Sequence, residues 1–174
     1  MLCCEVLARL QVPFAVHGFQ DVVVPFKDFT DPLDPDMRQT IGTMPLEVSS
    51  SRPGGRNHPQ HNWDGPCLTR AAELLRDFPA QERFLVVVSD GAPSGPRDGS
   101  GELHRSVRRI LAAGDIHLVG VGLGPDTDHV KTFYPDAIAN ISLEEFPAAL
   151  GQLLDRLILS RPGSAAVTRH GARA

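Results

Sequence analysis

The sequence predicts an α/β domain: a doubly wound, mostly parallel sheet with helices on both faces. Three observations predict it. The runs FLVVVSDG (84–91) and HLVGVGLG (117–124) are apolar throughout, as strands covered on both faces are, rather than alternating like half-exposed ones. Apolar stripes at helical spacing lie between and after these runs, so strands and helices alternate along the chain. At 174 residues, 41% hydrophobic and 22% charged, the chain has the size and make-up of one ordinary globular domain.

The elements follow in order. Residues 2–10 read as the end of a helix, closed by Pro13. PFAVHGF (13–19) reads as a strand. VVVPF (22–26) reads as a second, at a sheet edge because Pro25 has no N–H for a ladder. From Asp28 to Trp63 proline, glycine and a serine triplet predict a long loop, of the functional or mobile kind. Leu68, Ala71, Ala72, Leu75 and Phe78 then recur at helical spacing, with Asp64 placed as N-cap and Pro66 in the first turn. Leu103, Val107, Ile110 and Leu111 mark another helix, whose Arg105, Arg108 and Arg109 face elsewhere. A short helical stretch near 127–133 and a weaker strand, AIANIS (137–142), follow. Phe146, Leu150, Leu153, Leu154, Leu157 and Ile158 form the strongest helical stripe. The domain therefore spans 1–159, and the aperiodic tail 160–174 is expected to be disordered.

Net charge is −4, unevenly placed. The tail carries Arg161, Arg169 and Arg173 and no acid, which leaves 14 basic against 21 acidic residues elsewhere, a body of about −7. Such a body argues against nucleic acid as the main ligand, since phosphates need a basic face. No apolar run approaches the ~20 residues of a membrane-spanning helix. The start, MLCCEVLARLQ, holds Glu5 and Arg9 within its apolar part and is not a secretory signal. Three cysteines without a CxxC predict neither a disulfide framework nor a cysteine-built zinc site, and a cytoplasmic location is expected.

In a doubly wound sheet, ligands gather at the carboxyl ends of the strands. Asp90, in SDGAPSG, lies where an apolar strand breaks into a Gly/Pro loop. A carboxylate there can ligate Mg²⁺ or Mn²⁺, which prefer oxygen, or can simply make an Asp-Gly turn. Asp64, in NWDGP, carries the same ambiguity, because capping a helix is reason enough for an aspartate. His58 and His61 (HPQH) have a spacing that could suit a metal or a solvated loop. Cys67, at a helix N-terminus, is either an activated thiol or a small core residue. The run GVGLGP (120–125) is not a dinucleotide fingerprint: Pro125 replaces the last glycine, and no acidic residue is suitably placed beyond. There is no Walker A loop and no GxSxG elbow.

Taken together, LARLQVPFAVHGF, NWDGPCLTRAAELL, ERFLVVVSDGAPSG and the late IHLVGVGLG strand resemble a von Willebrand factor type A (vWA) domain. The resemblance runs from about Leu7 to Leu159. The Asp-Gly helix start paired with SDGAP is most similar to the C-terminal domain of the cobalamin-biosynthesis protein CobT, a cobaltochelatase subunit. It is similar also to vWA proteins that work beside MoxR-type AAA+ ATPases, including nitric oxide reductase activators. The resemblance implies a metal-ion-dependent adhesion site: a DxSxS loop after the first strand, a Thr or Asp at a helix start, and an Asp after the fourth strand. Asp64 matches the second part and Asp90 the third, so Mg²⁺ or Mn²⁺ is expected at these two.

The DxSxS loop and its strand have no counterpart. Asp98-Gly99-Ser100-Gly101-Glu102 is a near match but follows no apolar strand and has Glu where the second Ser belongs. The expectation is a domain incomplete at its N-terminus, from a truncated gene or a start codon assigned too late. The family's sheet order, 3-2-1-4-5-6, makes the missing strand central. Strands 14–19 and 84–89 must then pair with each other or leave backbone groups without partners, and Asp64 and Asp90 alone should hold a cation weakly. The function this implies is a non-catalytic module that docks, through its metal, onto an AAA+ ATPase or a chelatase subunit. Two alternatives stand beside it. One is a remnant without metal binding; the other is a metal-assisted hydrolase in which His58 or His61 serves as base.

Overall fold

The computed structural model describes residues 1–47, 61–96 and 98–159. Its elements run α1 (Leu2–Arg9), β1 (Val16–Phe19), β2 (Val23–Lys27), α2 (Pro35–Gly42), α3 (Met44–Glu47), α4 (Asp64–Asp77), β3 (Phe84–Ser89), α5 (Gly99–Ala113), β4 (His117–Leu123), α6 (His129–Phe133), β5 (Asp136–Ile141) and α7 (Phe146–Leu159). The predicted tail 160–174 lies outside the described residues.

The apolar runs build the main sheet. β3, β4 and β5 are parallel, with β4 in the middle. Alternate side chains of a strand point to opposite faces, and both faces are covered. On one face Leu85, Val87 and Leu118 meet Leu68, Ala72 and Leu75 of α4, Leu103, Val107 and Ile110 of α5, and Val130 and Tyr134. On the other, Val86, Val119, Val121 and Ile138 meet Leu150 and Leu153 of α7 and Cys3 of α1. The predicted doubly wound α/β class is thus what the chain adopts. Gly120 is required where Tyr134 packs against β4, because a Cβ there would overlap the Tyr134 side chain.

β1 and β2 form a separate antiparallel hairpin. Of the two outcomes expected for a sheet lacking its middle strand, the second holds: β1 and β3 do not pair with one another. The hairpin is tied in by side chains instead. The ammonium of Lys27, only 3% exposed, donates to the Phe14 and Asp28 carbonyls at 2.8 Å each and sits over the Phe14 ring. Burial lowers its pKa. Glu5 of α1 holds Arg38 of α2 through two bonds, of 2.6 and 3.1 Å.

One expectation about the loops needs correcting. The stretch 28–63 is not all loop: α2 starts on Asp34, whose carboxylate accepts from the Met37 N–H at 2.8 Å, with Pro35 in the first turn. As expected, Asp98-Gly99-Ser100-Gly101-Glu102 is not a DxSxS loop: it is a helix start, where Asp98 caps α5 by accepting from the Gly101 N–H at 2.9 Å.

Candidate functional site

Three segments meet at the start of α4. The Trp63 N–H donates to the Gln20 carbonyl at 3.1 Å, and the His61 N–H donates to Asp21 Oδ1 at 3.0 Å, which ties in the β1–β2 turn. From the other side comes the loop after β3. Ser94 N–H donates to the Asn62 carbonyl at 2.7 Å, and the Asn62 N–H donates to Ser94 Oγ at 2.9 Å. The loops that carry Asp64 and Asp90 are therefore stitched together two residues before Asp64 and four after Asp90.

The two carboxylates experience this junction differently. Asp64 is the first residue of α4, not its cap; Trp63 occupies the cap position and makes no side-chain cap bond. The Asp64 side chain is 4% exposed, and its Oδ1 has no hydrogen-bond partner. Close helix packing shuts water out. A Cβ on Gly65 would lie 2.7 Å from the Glu102 carbonyl carbon of α5, so only glycine lets the two helix starts approach this closely. Burial pushes the Asp64 carboxyl up to about 7, above the usual carboxylate range, because desolvation penalises the charged form. The same carboxylate adds to the burial that raises the Tyr134 phenol.

Asp90 directly follows β3 and is exposed. Its turn is fixed by Ser89, whose hydroxyl donates to the Gly91 carbonyl at 2.9 Å. Cys67 is buried, its thiol bonded to the Gln20 carbonyl at 3.4 Å and pushed up to about 11 by burial, then by Asp64 and Asp21. It is a core residue rather than an activated thiol. His61 is held by its backbone to Asp21, and His58 lies outside the described residues.

A hard cation takes about six oxygen ligands. The orphaned, buried Asp64 oxygen fits one of those places. Among the described residues no group of three or more His, Cys, Asp or Glu side chains is placed to complete the set. The donors present thus fit a cation in part, with Asp64 inside and Asp90 on the adjoining loop.

Sequence reasoning missed Asn62, Ser94 and the bond from the Trp63 indole N–H to Glu102. Asn62 and Ser94 are 32 residues apart, and no local pattern links them. The lone tryptophan beside Asp64 was the one available signal.

The sequence model of the family described as "Cobalamin biosynthesis protein CobT VWA domain" matches residues 56–160. The chain belongs to the CobT vWA family. The match takes in both Asp64 and Asp90 and every element from α4 to α7, whereas α1, the β1–β2 hairpin, α2 and α3 precede it. No curated protein and no solved structure matches the chain. Within this CobT-type vWA domain, the junction of α4 with the loop after β3 lies at the carboxyl end of the parallel sheet, where a doubly wound fold presents its ligand site.

Proposed function

We propose that this CobT-type vWA domain is a non-catalytic interaction module that docks onto an AAA+ ATPase or a chelatase subunit. Asp64 and Asp90 would supply carboxylate oxygens to Mg²⁺ or Mn²⁺, and the cation would offer an open position to a carboxylate of the partner. One observation carries the reading: a carboxylate oxygen at a helix start, buried and without a partner, beside the loop that holds Asp90. A buried polar group left unpaired costs about 1–3 kcal/mol, and a cation would remove that cost. No helix among the described residues is long and apolar enough to cross a membrane, which agrees with action in the cytoplasm.

Thermal unfolding with and without millimolar Mg²⁺ or Mn²⁺ tests it. A ligand present at a hundred times its Kd and bound only to the native state adds roughly 2.7 kcal/mol. The midpoint should rise with metal in the parent chain, and stay put in Asp64→Asn and Asp90→Ala. A second reading is favoured by the lack of a third carboxylate, His or Cys ligand among the described residues: a metal-free scaffold in which burial favours the protonated form of Asp64. An unshifted midpoint in the parent chain would select it and sink the metal-dependent one.

A further inference from the structure

α4 and α5 run side by side in the same direction. Gly65 meets Glu102, the Thr69 hydroxyl is 3.0 Å from the Ser106 hydroxyl, and Arg76 pairs with Asp115 just beyond α5. Their outer faces enclose an open groove of about 390 Å³. α4 lines it with Thr69, Arg70 and Glu73; α5 lines it with Arg105, Ser106 and Arg109. With Pro66 and Glu102 at its head, the lining falls at i, i+3, i+4 and i+7 on each helix, which is one face per helix. From Pro66 to Glu73, and from Glu102 to Arg109, two helical turns give the groove a length of about 10 Å.

The charge in this groove is unbalanced. Glu102, at its head, is held by the Trp63 indole, and Glu73 pairs with Arg70 at 3.3 Å. The nearest acid to Arg105 is Asp98, at 3.9 Å with both side chains largely exposed. Among the described residues no acidic side chain pairs with Arg109. Two arginines one turn apart thus present guanidinium groups over a floor of two hydroxyls, on a body whose net charge is about −7.

We propose that the α4–α5 groove is a docking site for a short acidic segment of a partner protein, two or three Asp or Glu residues long. Arginine's planar fork binds carboxylates through two parallel hydrogen bonds. The groove length accepts about three extended residues at ~3.3 Å each. Glu73 and Glu102 in the walls are already engaged by Arg70 and the Trp63 indole, which leaves Arg105 and Arg109 to receive the incoming carboxylates. This site needs no cation and stands apart from the Asp64–Asp90 reading, so either can fail alone.

The test uses the full chain and a fluorescently labelled hexaglutamate peptide, followed by anisotropy in 20 mM salt with EDTA. Binding is expected, weakening as salt rises to 200 mM. Arg109→Ala should weaken it at least threefold, and Arg105→Ala/Arg109→Ala at least tenfold. Arg108→Ala removes the same charge from α5 outside the groove lining and should change binding less than twofold. Arg105, Arg108 and Arg109 are all exposed, so unchanged thermal midpoints verify folding. Absence of binding by the parent chain would overturn the proposal. So would equal losses in Arg108→Ala and Arg109→Ala, or full displacement of the peptide by equimolar inorganic phosphate, which would mark a simple anion site.

Discussion

β3 and β4 are alike in composition and unlike in surroundings. Both are apolar runs in a parallel sheet, paired residue for residue from Phe84↔His117 to Ser89↔Gly122. β4 lies between two strands, and Leu118, Val119 and Val121 are at most 1% exposed. β3 is an edge: none of its residues is fully buried, and Val88 is 36% exposed. The same contrast recurs in the two carboxylates, with Asp64 closed in under α5 and Asp90 left outside at the end of β3. An apolar run therefore states what surroundings suit a strand, and the topology decides which strand receives them. An edge of this composition is one that natural sheets usually protect.

The largest effect expected from this contrast is electrostatic. The Asp64 carboxyl stands at about 7 in the folded chain, against an ordinary value of 3.8 when solvated. Between those values the native state keeps a proton that the unfolded state has lost, so stability falls as pH rises from 4 to 7 and levels off above. A shift of this size corresponds to about 4 kcal/mol. Paired carboxylates such as Asp115, held low by Arg76, act in the opposite sense, and their contribution is lost only at lower pH. Urea unfolding in EDTA, compared with Asp64→Asn at each pH from 4.5 to 8, isolates the Asp64 contribution. The parent should lose stability relative to the variant across this window. Asp90→Ala, at an exposed site, should track the parent. Parallel curves for parent and Asp64→Asn would mean that Asp64 is solvated after all.

A smaller effect separates the strands themselves. Leu118→Ala removes a fully buried side chain from between α4, α5 and α6, and should cost about 3 kcal/mol, within the range for buried leucines. Val88→Ala, at the exposed end of β3, should cost under about 1 kcal/mol. Denaturant midpoints at constant slope would show this. Similar losses at the two sites would mean that β3 is covered in solution, and the contrast would collapse.

Much of this arrangement was legible in the chain. The three parallel strands were, because β3, β4 and β5 are short apolar runs spaced by helical stripes. Asp90's exposure was consistent with its Gly/Pro loop. Asp64 was misread as a cap because its type and position suit one. What removes it from that role is Gly65, whose missing Cβ lets α5 close over the site, and a sequence does not show which helix will arrive there. α2 was missed although Asp34-Pro35 is a good helix start, since the helix buries only Ile41 and has almost no apolar stripe. The family's strand order left open whether β1 would pair with β3, and no residue in either strand decides it. Proline, glycine and serine content says nothing about pairing.

The finest test of the contrast lies within β3. The His117 N–H donates to the Arg83 carbonyl at 2.8 Å, which fixes the phase of the parallel ladder. Successive peptide groups of a strand point to opposite sides, so the N–H groups of Leu85, Val87 and Ser89 turn toward β4. Those of Phe84, Val86 and Val88 turn to the open edge, where no strand among the described residues pairs with them. Amide hydrogen exchange should alternate along the strand, slow at Leu85 and Val87 and at least tenfold faster at Val86 and Val88. The β4 amides, bonded within the sheet on both sides, should all be slow. Burial of side chains gives no such alternation, because Val86 packs on the α7 face and Val87 on the α4 face with comparable cover. Uniform protection from Phe84 to Ser89 would mean that another chain occupies the edge in solution.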